Sequence, residues 1–587
     1  MSADLRICGR GEKCFAHDCG GLTIAGGSGE LNIMKYSVQF RFETKVKPTK
    51  TVYVPSGTLL TVAASEAGLP FHTNCGGTGI CGKCRVNING NTQLACQTVV
   101  ENNLEVLVPE SALRHNEKTV VVQTESFPEI RQQDIVKRTG HQFGVAVDIG
   151  TTTLAAELHQ FGDPIGNPNT VRTASRANPQ RNYGDDVITR IQKIIEEPVF
   201  LAKLQELIVG AVDEMLAELA EKAGINTTDI SLLSVAGNTV MEYLFLGIDP
   251  SPLGFAPFTA PVSEYPVCRG RDIGLKTVPD GIIETLPIFG GFVGGDIVAG
   301  VIATEIHKKN RQQPEKNRQH PYSCKPRAFF LIDIGTNGEL VLCYGDEIHT
   351  AATAAGPAFE GGRIEHGMLA VSGAVDRVRL QTTESEGIET GEVSISTIGN
   401  QPPQGICGSG LIDAVSELLR CGLIKPNGQF NVKADSPFLR FWAMDNGKPS
   451  FVLVSEADSG CGEAILLTQR DIRQFQLATG AIRAGIRLLL QQQGLQPEDI
   501  ENFYIGGGFG SFIRLEAAQR VGLLPVEVPL ERIRFCGNTS LAGARLSLLD
   551  MRYREESFIL ARRARHIELA SLPNFTTVYA DAMLFTQ

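Results

Sequence analysis

A short pattern that occurs twice constrains this chain more than anything else in it. Phe143-Gly-Val-Ala-Val-Asp148-Ile-Gly150-Thr151-Thr152-Thr153-Leu is answered by Phe329-Phe-Leu-Ile-Asp333-Ile-Gly335-Thr336-Asn337-Gly338-Glu339-Leu, with the second Asp 185 residues after the first. In each copy an apolar strand ends in an acid, and a glycine turn with hydroxyl or amide side chains leads to another strand. Such a hairpin aims backbone N–H groups and Thr hydroxyls at phosphate oxygens, while the acid at the strand end faces a hydrated Mg²⁺. Asp148, Gly150, Thr151, Thr152, Asp333, Gly335, Thr336 and Asn337 are therefore candidate nucleotide contacts. One glycine turn between strands is commonplace. Two matched ones imply two similar lobes facing each other across a cleft.

A third stretch, Phe503-Tyr-Ile-Gly506-Gly507-Gly508-Phe-Gly510, is a strand ending in a glycine cluster that leads into a helical stretch, suited to close contact with adenosine. Gly408 and Ser409, in a glycine turn opening a helix, and Gly237-Asn238-Thr239, at another strand end, extend the same cleft. The loop from Gly356 to Gly367 follows the second turn and holds two candidate general bases for activating water, Glu360 and Glu365. The three glycine elements, in this order and spacing, resemble the acetate-kinase, sugar-kinase, actin and heat-shock ATPase superfamily.

Upstream lies a different chemistry. Cys75-Gly-Gly-Thr-Gly-Ile-Cys81-Gly-Lys-Cys84, closed by Cys96, crowds three thiols into one glycine-rich loop and adds a fourth with eleven residues between it and Cys84. Four thiolates hold a 2Fe-2S cluster, and the glycines let backbone N–H groups wrap its sulfurs. A structural zinc site is the alternative, although zinc loops come as two separate two-cysteine knuckles. Alternating strands over Ser37–Glu43 and Lys50–Pro55, a helix over Thr58–Gly68, a strand after the loop at Arg85–Asn89 and another at Leu104–Pro109 give the order of a β-grasp ferredoxin. The cysteine spacing resembles the adrenodoxin-type and sodium-pump-reductase ferredoxins.

The expected architecture is an α+β β-grasp ferredoxin domain (34–109), a polar linker (110–142), and a two-lobed α/β actin-like, ribonuclease-H-like ATPase domain (143–587). A leader over 1–33 carries Cys8, Cys14 and Cys19 with His17 between the last two, which either complete a second metal or cluster site or form a tail that binds nothing. The basic run from His307 to Arg327 reads as a solvated insertion, with docking to an acidic partner as the alternative, and the tail from Met551 to Phe585 as a closing helix followed by a strand. A net charge of -11 argues against nucleic acid as the main partner. The start has no long apolar run and no stretch of 18 apolar residues occurs, so neither export nor a membrane span is expected. Fourteen cysteines in so long a chain suit metal ligation in a reducing cytoplasm better than disulfides.

A ferredoxin joined to an actin-like ATPase is a rare pairing. From about residue 35 onward, on Cys75, Cys81, Cys84, Cys96, the two Asp-Ile-Gly-Thr turns and Gly506–Gly508, the chain resembles the ATP-dependent reductive activators of corrinoid proteins. That resemblance implies a 2Fe-2S cluster passing one electron to Co(II) cobalamin in a methyltransferase system, an electron donor such as a reduced ferredoxin or flavoprotein, and remodelling driven by ATP. In layout it departs from the family, because only about 35 residues lie where a small extra domain is expected, which puts a dimer built through such a domain in doubt. Three alternatives stand beside it. A kinase for a small molecule would need a substrate acid. A redox-sensing clamp would bind a partner without turnover. An activator of radical dehydratases would hold a 4Fe-4S cluster between two subunits, which a four-cysteine ferredoxin does not suit.

Overall fold

The structure is a computed structural model that describes residues 34–42, 48–69, 71, 79, 82–109, 112–113, 142–161, 172–309, 327–385, 388–433, 435–445, 447–507 and 513–585. Cys75, Cys81, Gly508, the leader with Cys8, Cys14, His17 and Cys19, and most of the basic run lie outside those residues.

The N-terminal unit is a five-stranded sheet in the order Lys50–Pro55, Lys35–Phe42, Leu104–Val108, Arg85–Ile88, Asn91–Leu94. Lys35–Phe42 runs antiparallel to Lys50–Pro55 and parallel to Leu104–Val108, the β-grasp arrangement expected. One face of the sheet, with Val38, Phe40, Val54, Val86 and Val106, packs on Leu60, Ala63 and Ala64 of the Leu60–Glu66 helix. Thr58 and Leu59, expected in that helix, instead pair with Val99 and Val100, so the helix starts two residues later. The core of the unit also takes in Ala112 and Leu113, the latter bridged to Phe71, so the chain leaves this unit later than the expected boundary at 109.

The remainder holds two six-stranded sheets built on one plan, with two smaller three-stranded sheets between residues 374 and 468. In the first lobe the order is Arg172–Ala177, Thr153–Gln160, Phe143–Ile149, Ile230–Gly237, Ile282–Thr285, Cys268–Arg269; in the second, read from the opposite edge, it is Arg565–His566, Glu347–Thr353, Gly338–Tyr344, Ala328–Ile334, Ile500–Gly506, Ile533–Gly537. In each lobe an antiparallel three-stranded meander lies beside parallel strands, so Phe143–Ile149 and Ala328–Ile334 occupy equivalent central places. Buried on both faces, these strands are near-continuous apolar runs. The tail from Met551 forms a helix to Arg563 and the Arg565–His566 edge strand, but then ends in the Phe575–Ala582 helix rather than in a strand. Its Phe585 is buried against the long Gln469–Gln492 helix, and one exposed, one packed face favours a helix there.

Each lobe sends one helix to the seam between them, Gly295–Thr304 from the first and Thr539–Leu549 from the second. They cross at backbone contact, because a Cβ on Gly543 would sit 2.1 Å from the Ala299 carbonyl oxygen. The adjoining buried cluster, with Ala146, Val298, Ala299, Leu331, Val341 and Ala544, draws on both lobes. Gly543→Val is expected to destabilise the chain by about 3 kcal/mol or more, since neither backbone can give way. Gly210→Ala, in the Phe200–Ala223 helix where a Cβ meets nothing within 4 Å, is expected to stabilise it by about 0.5–1 kcal/mol. Denaturant unfolding of both variants checks the pair.

Candidate functional site

The two lobes present their repeated turns to one cleft. Asp148 ends the Phe143–Ile149 strand, and its carboxylate accepts 2.7 Å hydrogen bonds from Asn538 Nδ2 and Ser540 Oγ at the start of the second lobe's seam helix. Asp333 ends the equivalent strand of the second lobe. The backbone of Gly506 and Gly507 closes over it so tightly that a Cβ on either would lie 3.0 or 2.7 Å from its carboxylate oxygens. These two glycines therefore serve close backbone packing on Asp333, and Gly507 adds a φ of 90°.

Three further acids join them: Asp296 in the first turn of the Gly295–Thr304 helix, Glu339 just past the second glycine turn, and Glu242 beneath Gly237. Burial raises the pKa of all five, and mutual repulsion adds to it at Asp333, Asp296, Glu339 and Glu242. Asp333 is pushed up to about 7, first by burial and then by the Asp148 charge. Carboxylates this close disfavour ionisation unless cations or hydrogen-bond donors offset them. Asp296, Glu339 and Glu242 are additions to the sequence expectation. The doubled glycines of Gly290-Gly-Phe-Val-Gly-Gly-Asp296 were the available signal, because a Cβ on Gly294 would lie 2.3 Å from the Gly237 carbonyl oxygen.

The hydroxyl groups of the turns differ in state. Thr152 Oγ1 donates to Glu360 Oε2 at 2.5 Å across the cleft. Thr336 Oγ1 is buried and has no hydrogen-bond partner, a donor and acceptor left for an arriving group. Behind the first turn, Arg190 donates to the Thr151 carbonyl and Asn178 Nδ2 to the Gly150 carbonyl, which fixes the turn from below. Gly408 and Ser409 start the Gly408–Arg420 helix, whose buried Asp413 accepts from Arg514 Nε at 2.8 Å, beyond the glycine cluster. Of the two candidate bases, Glu360 reaches the cleft through Thr152, whereas Glu365 is exposed and its backbone N–H donates to Asp471. The orphaned Thr336 hydroxyl and the uncompensated acids fit a phosphate group with a divalent cation.

In the N-terminal unit, Cys84 and Cys96 are buried, and the Cys96 backbone N–H lies 3.5 Å from Cys84 Sγ, the contact a ligating thiolate accepts. Gly79 and Gly82 have φ of 80° and 67°, and a Cβ on Gly79 would meet Gln97 Cγ at 3.2 Å. Two soft buried thiols, a backbone donor on one of them and glycines at positive φ beside them fit an iron–sulfur cluster. The neighbouring Lys83 Nζ donates to the Gly367 carbonyl of the second lobe at 3.0 Å, so this unit touches the second lobe.

Comparison with known proteins follows this geometry. Residues 34–129 match the family described as a 2Fe-2S iron-sulfur cluster binding domain, 143–309 the RACo middle region, and 327–587 the C-terminal domain of RACo, the ASKHA domain. The corrinoid activation enzyme RamQ of Eubacterium limosum is 31% identical over 91% of this chain and 97% of its own. The [Co(II) methylated amine-specific corrinoid protein] reductase of Methanosarcina barkeri is 26% identical over 74% of this chain and 76% of its own. A solved structure, titled reductive activator for corrinoid,iron-sulfur protein, superposes with a TM-score of 0.65 at 28% identity, covering 94% of this chain and 98% of that one. Among the described residues no helix is long and apolar enough to cross a membrane.

The acid cluster carries a pH signature. Unfolded, Asp333 would titrate near the ordinary aspartate value of 3.8, whereas folded it holds its proton to about 7. Stability of the nucleotide-free protein therefore falls as pH rises through that window and is level below it. Asp333→Asn removes the penalty, so the variant should gain on the order of 1–2 kcal/mol over the parent at pH 8 and nothing at pH 4. Thermal melts from pH 4 to 8 without Mg²⁺ check the sign.

Proposed function

This chain belongs to the family of reductive activators of corrinoid proteins, and we propose that it passes one electron to the Co(II) cobalamin of a corrinoid protein, regenerating Co(I) for methyl transfer at the expense of ATP. The observation that carries the reading is the joining of a ferredoxin unit, with Cys84 and Cys96 buried, to a two-lobed unit whose buried acids come from both lobes, with Lys83 on Gly367 at 3.0 Å. A kinase needs no such redox unit.

The residues divide into two tasks. Cys75, Cys81, Cys84 and Cys96 are the four cluster ligands, with the Cys96 N–H directed at Cys84 Sγ. Bound there, a 2Fe-2S cluster supplies electrons one at a time. In the cleft, Asp148, Asp333 and Asp296 hold hydrated Mg²⁺, which offsets their mutual repulsion. Thr151, Thr152, Thr336 and Asn337, with the backbone at Gly150 and Gly335, cradle the phosphates, while Gly408, Ser409 and Gly506 to Gly508 pack against adenosine. Glu360, brought to the phosphate turn by Thr152, accepts the proton of the attacking water. A reduced ferredoxin or flavoprotein reloads the cluster.

ATP has a physical task here, because the cobalt acceptor lies at very low potential. A differential binding energy of about 5.5 kcal/mol moves a two-state equilibrium from 1:99 to 99:1. Those four tenfold steps, at about 59 mV each for one electron, offset on the order of 240 mV. Closure of the lobes on nucleotide supplies such a difference when the closed state binds the Co(II) partner unlike the Co(I) partner.

An anaerobic absorption spectrum of a corrinoid protein mixed with this protein, a reductant and Mg-ATP should show Co(II) converted to Co(I). Cys84→Ala is expected to abolish the conversion while nucleotide still binds. Asp333→Ala should lower nucleotide affinity at least tenfold while the cluster remains reducible. Co(I) appearing equally with and without ATP would sink the reading.

A further inference from the structure

The inward face of the Val187–Glu196 helix repeats at helical spacing as Val187, Arg190, Ile191 and Ile194, all buried. A charged residue therefore holds a place that the pattern gives to an apolar one. Among the described residues three arginines are buried, Arg181, Arg190 and Arg554, and Arg190 is the most deeply buried of them. Arg181 and Arg554 each have a carboxylate at 3.4 Å, Asp185 and Glu284. Arg190 instead donates to neutral groups: Nε to the Gly184 carbonyl at 3.0 Å, Nη1 to Gln180 Oε1 at 3.0 Å and Met241 Sδ at 2.9 Å, and Nη2 to the Thr151 carbonyl at 2.6 Å. Asp185, Asp186 and Glu360 support its charge only from farther away, Arg181 opposes it, and burial holds its pKa down, to about 10. Asp186 is committed to capping the helix, where it accepts from the Thr189 N–H and hydroxyl. A buried cation balanced by dipoles alone is costly until a negative charge comes near it.

That charge stands directly behind the first glycine turn. The Thr151 carbonyl takes one of its N–H groups, and in a planar trans peptide the Thr152 N–H points the opposite way. A carbonyl held by a cation polarises its peptide and makes that N–H a stronger donor. The second lobe's turn has other surroundings. It closes on its own backbone, Gly335 N–H on the Asn337 carbonyl at 3.0 Å, and buried Glu339 stands where the first copy has Leu154. Alike in sequence, the two turns are unlike in charge.

We propose that Arg190 is a positioning residue that sets the cleft's preference for a nucleoside triphosphate over a diphosphate, by backing the first turn with a fixed positive charge. The inference deepens the nucleotide reading of the cleft and rests on it. Arg190 does not touch the phosphate. It acts through the Thr151–Thr152 peptide, whose N–H it strengthens, and through a charge that the structure leaves without a carboxylate. The triphosphate is the more negative ligand, so it gains more from that charge than the diphosphate does.

Calorimetric titration of the full-length, cluster-loaded protein with Mg-adenylyl imidodiphosphate and with Mg-ADP tests this on two variants. Arg190→Gln removes the charge. Gln180→Glu leaves Arg190 on Thr151 but sets a carboxylate against Nη1, at the cost of Gln180's bond to the Leu204 carbonyl. A charge-assisted interaction is worth about ten- to a hundredfold in affinity, so each variant should weaken the triphosphate analogue about tenfold or more and Mg-ADP about threefold or less. Where melting shows that Arg190→Gln does not fold, Gln180→Glu decides alone. Parent affinities for both nucleotides in Gln180→Glu, or equal weakening of both, mean that Arg190 only props the turn, and overturn the proposal while the nucleotide reading stands. A parent protein that binds neither nucleotide overturns the nucleotide reading and the proposal with it.

Discussion

Acids from both lobes meet at the floor of one cleft, and that meeting is the constraint around which the second unit is built. Asp148 and Asp333 arrive as the next-to-last residues of equivalent central strands, and Asp296 as part of the first turn of a seam helix. Bringing such charges together costs free energy unless a cation shares them. The fold offsets part of that cost with donors from the opposite lobe, Asn538 and Ser540 on Asp148. What remains shows as raised pKa values at Asp333 and Asp296.

The lobes meet at a helix crossing, Ala299 against Gly543, where the two backbones are in contact. The ferredoxin unit meets the first lobe at Asn182 and the second at Gly367, so it touches both.

Much of this was legible before any coordinates. The doubled Asp-Ile-Gly-Thr turns read correctly as two like lobes, because each turn carries its own local geometry: strand, acid, glycine, hydroxyl. The ferredoxin order was equally plain from alternation and glycine placement. Asp296, Glu242 and Glu339 were not, since an acid at a helix start or within a strand looks like any cap or surface charge until the sheets bring it inward. Lys83 and Gly367, 284 positions apart, meet only through tertiary packing. The tail from Met551 read as a helix followed by a strand; the helix and a two-residue strand at Arg565–His566 are there, and the further helix Phe575–Ala582, next to Phe585 packed on the Gln469–Gln492 helix, was not foreseen. Thr58 and Leu59 went the other way, drawn into pairing with Val99 and Val100. Glu360 and Glu365 were indistinguishable in sequence, and only the cross-cleft bond to Thr152 separates them.

The central claim is that nucleotide in the cleft changes the energetics of electron delivery rather than merely accompanying it. Spectroelectrochemical titration of the corrinoid protein bound to the full-length activator measures that directly. With Mg-ATP present, the apparent Co(II)/Co(I) midpoint should rise by on the order of 100–240 mV relative to the nucleotide-free complex. An identical midpoint with and without Mg-ATP, in a complex that still binds the nucleotide, would contradict the account.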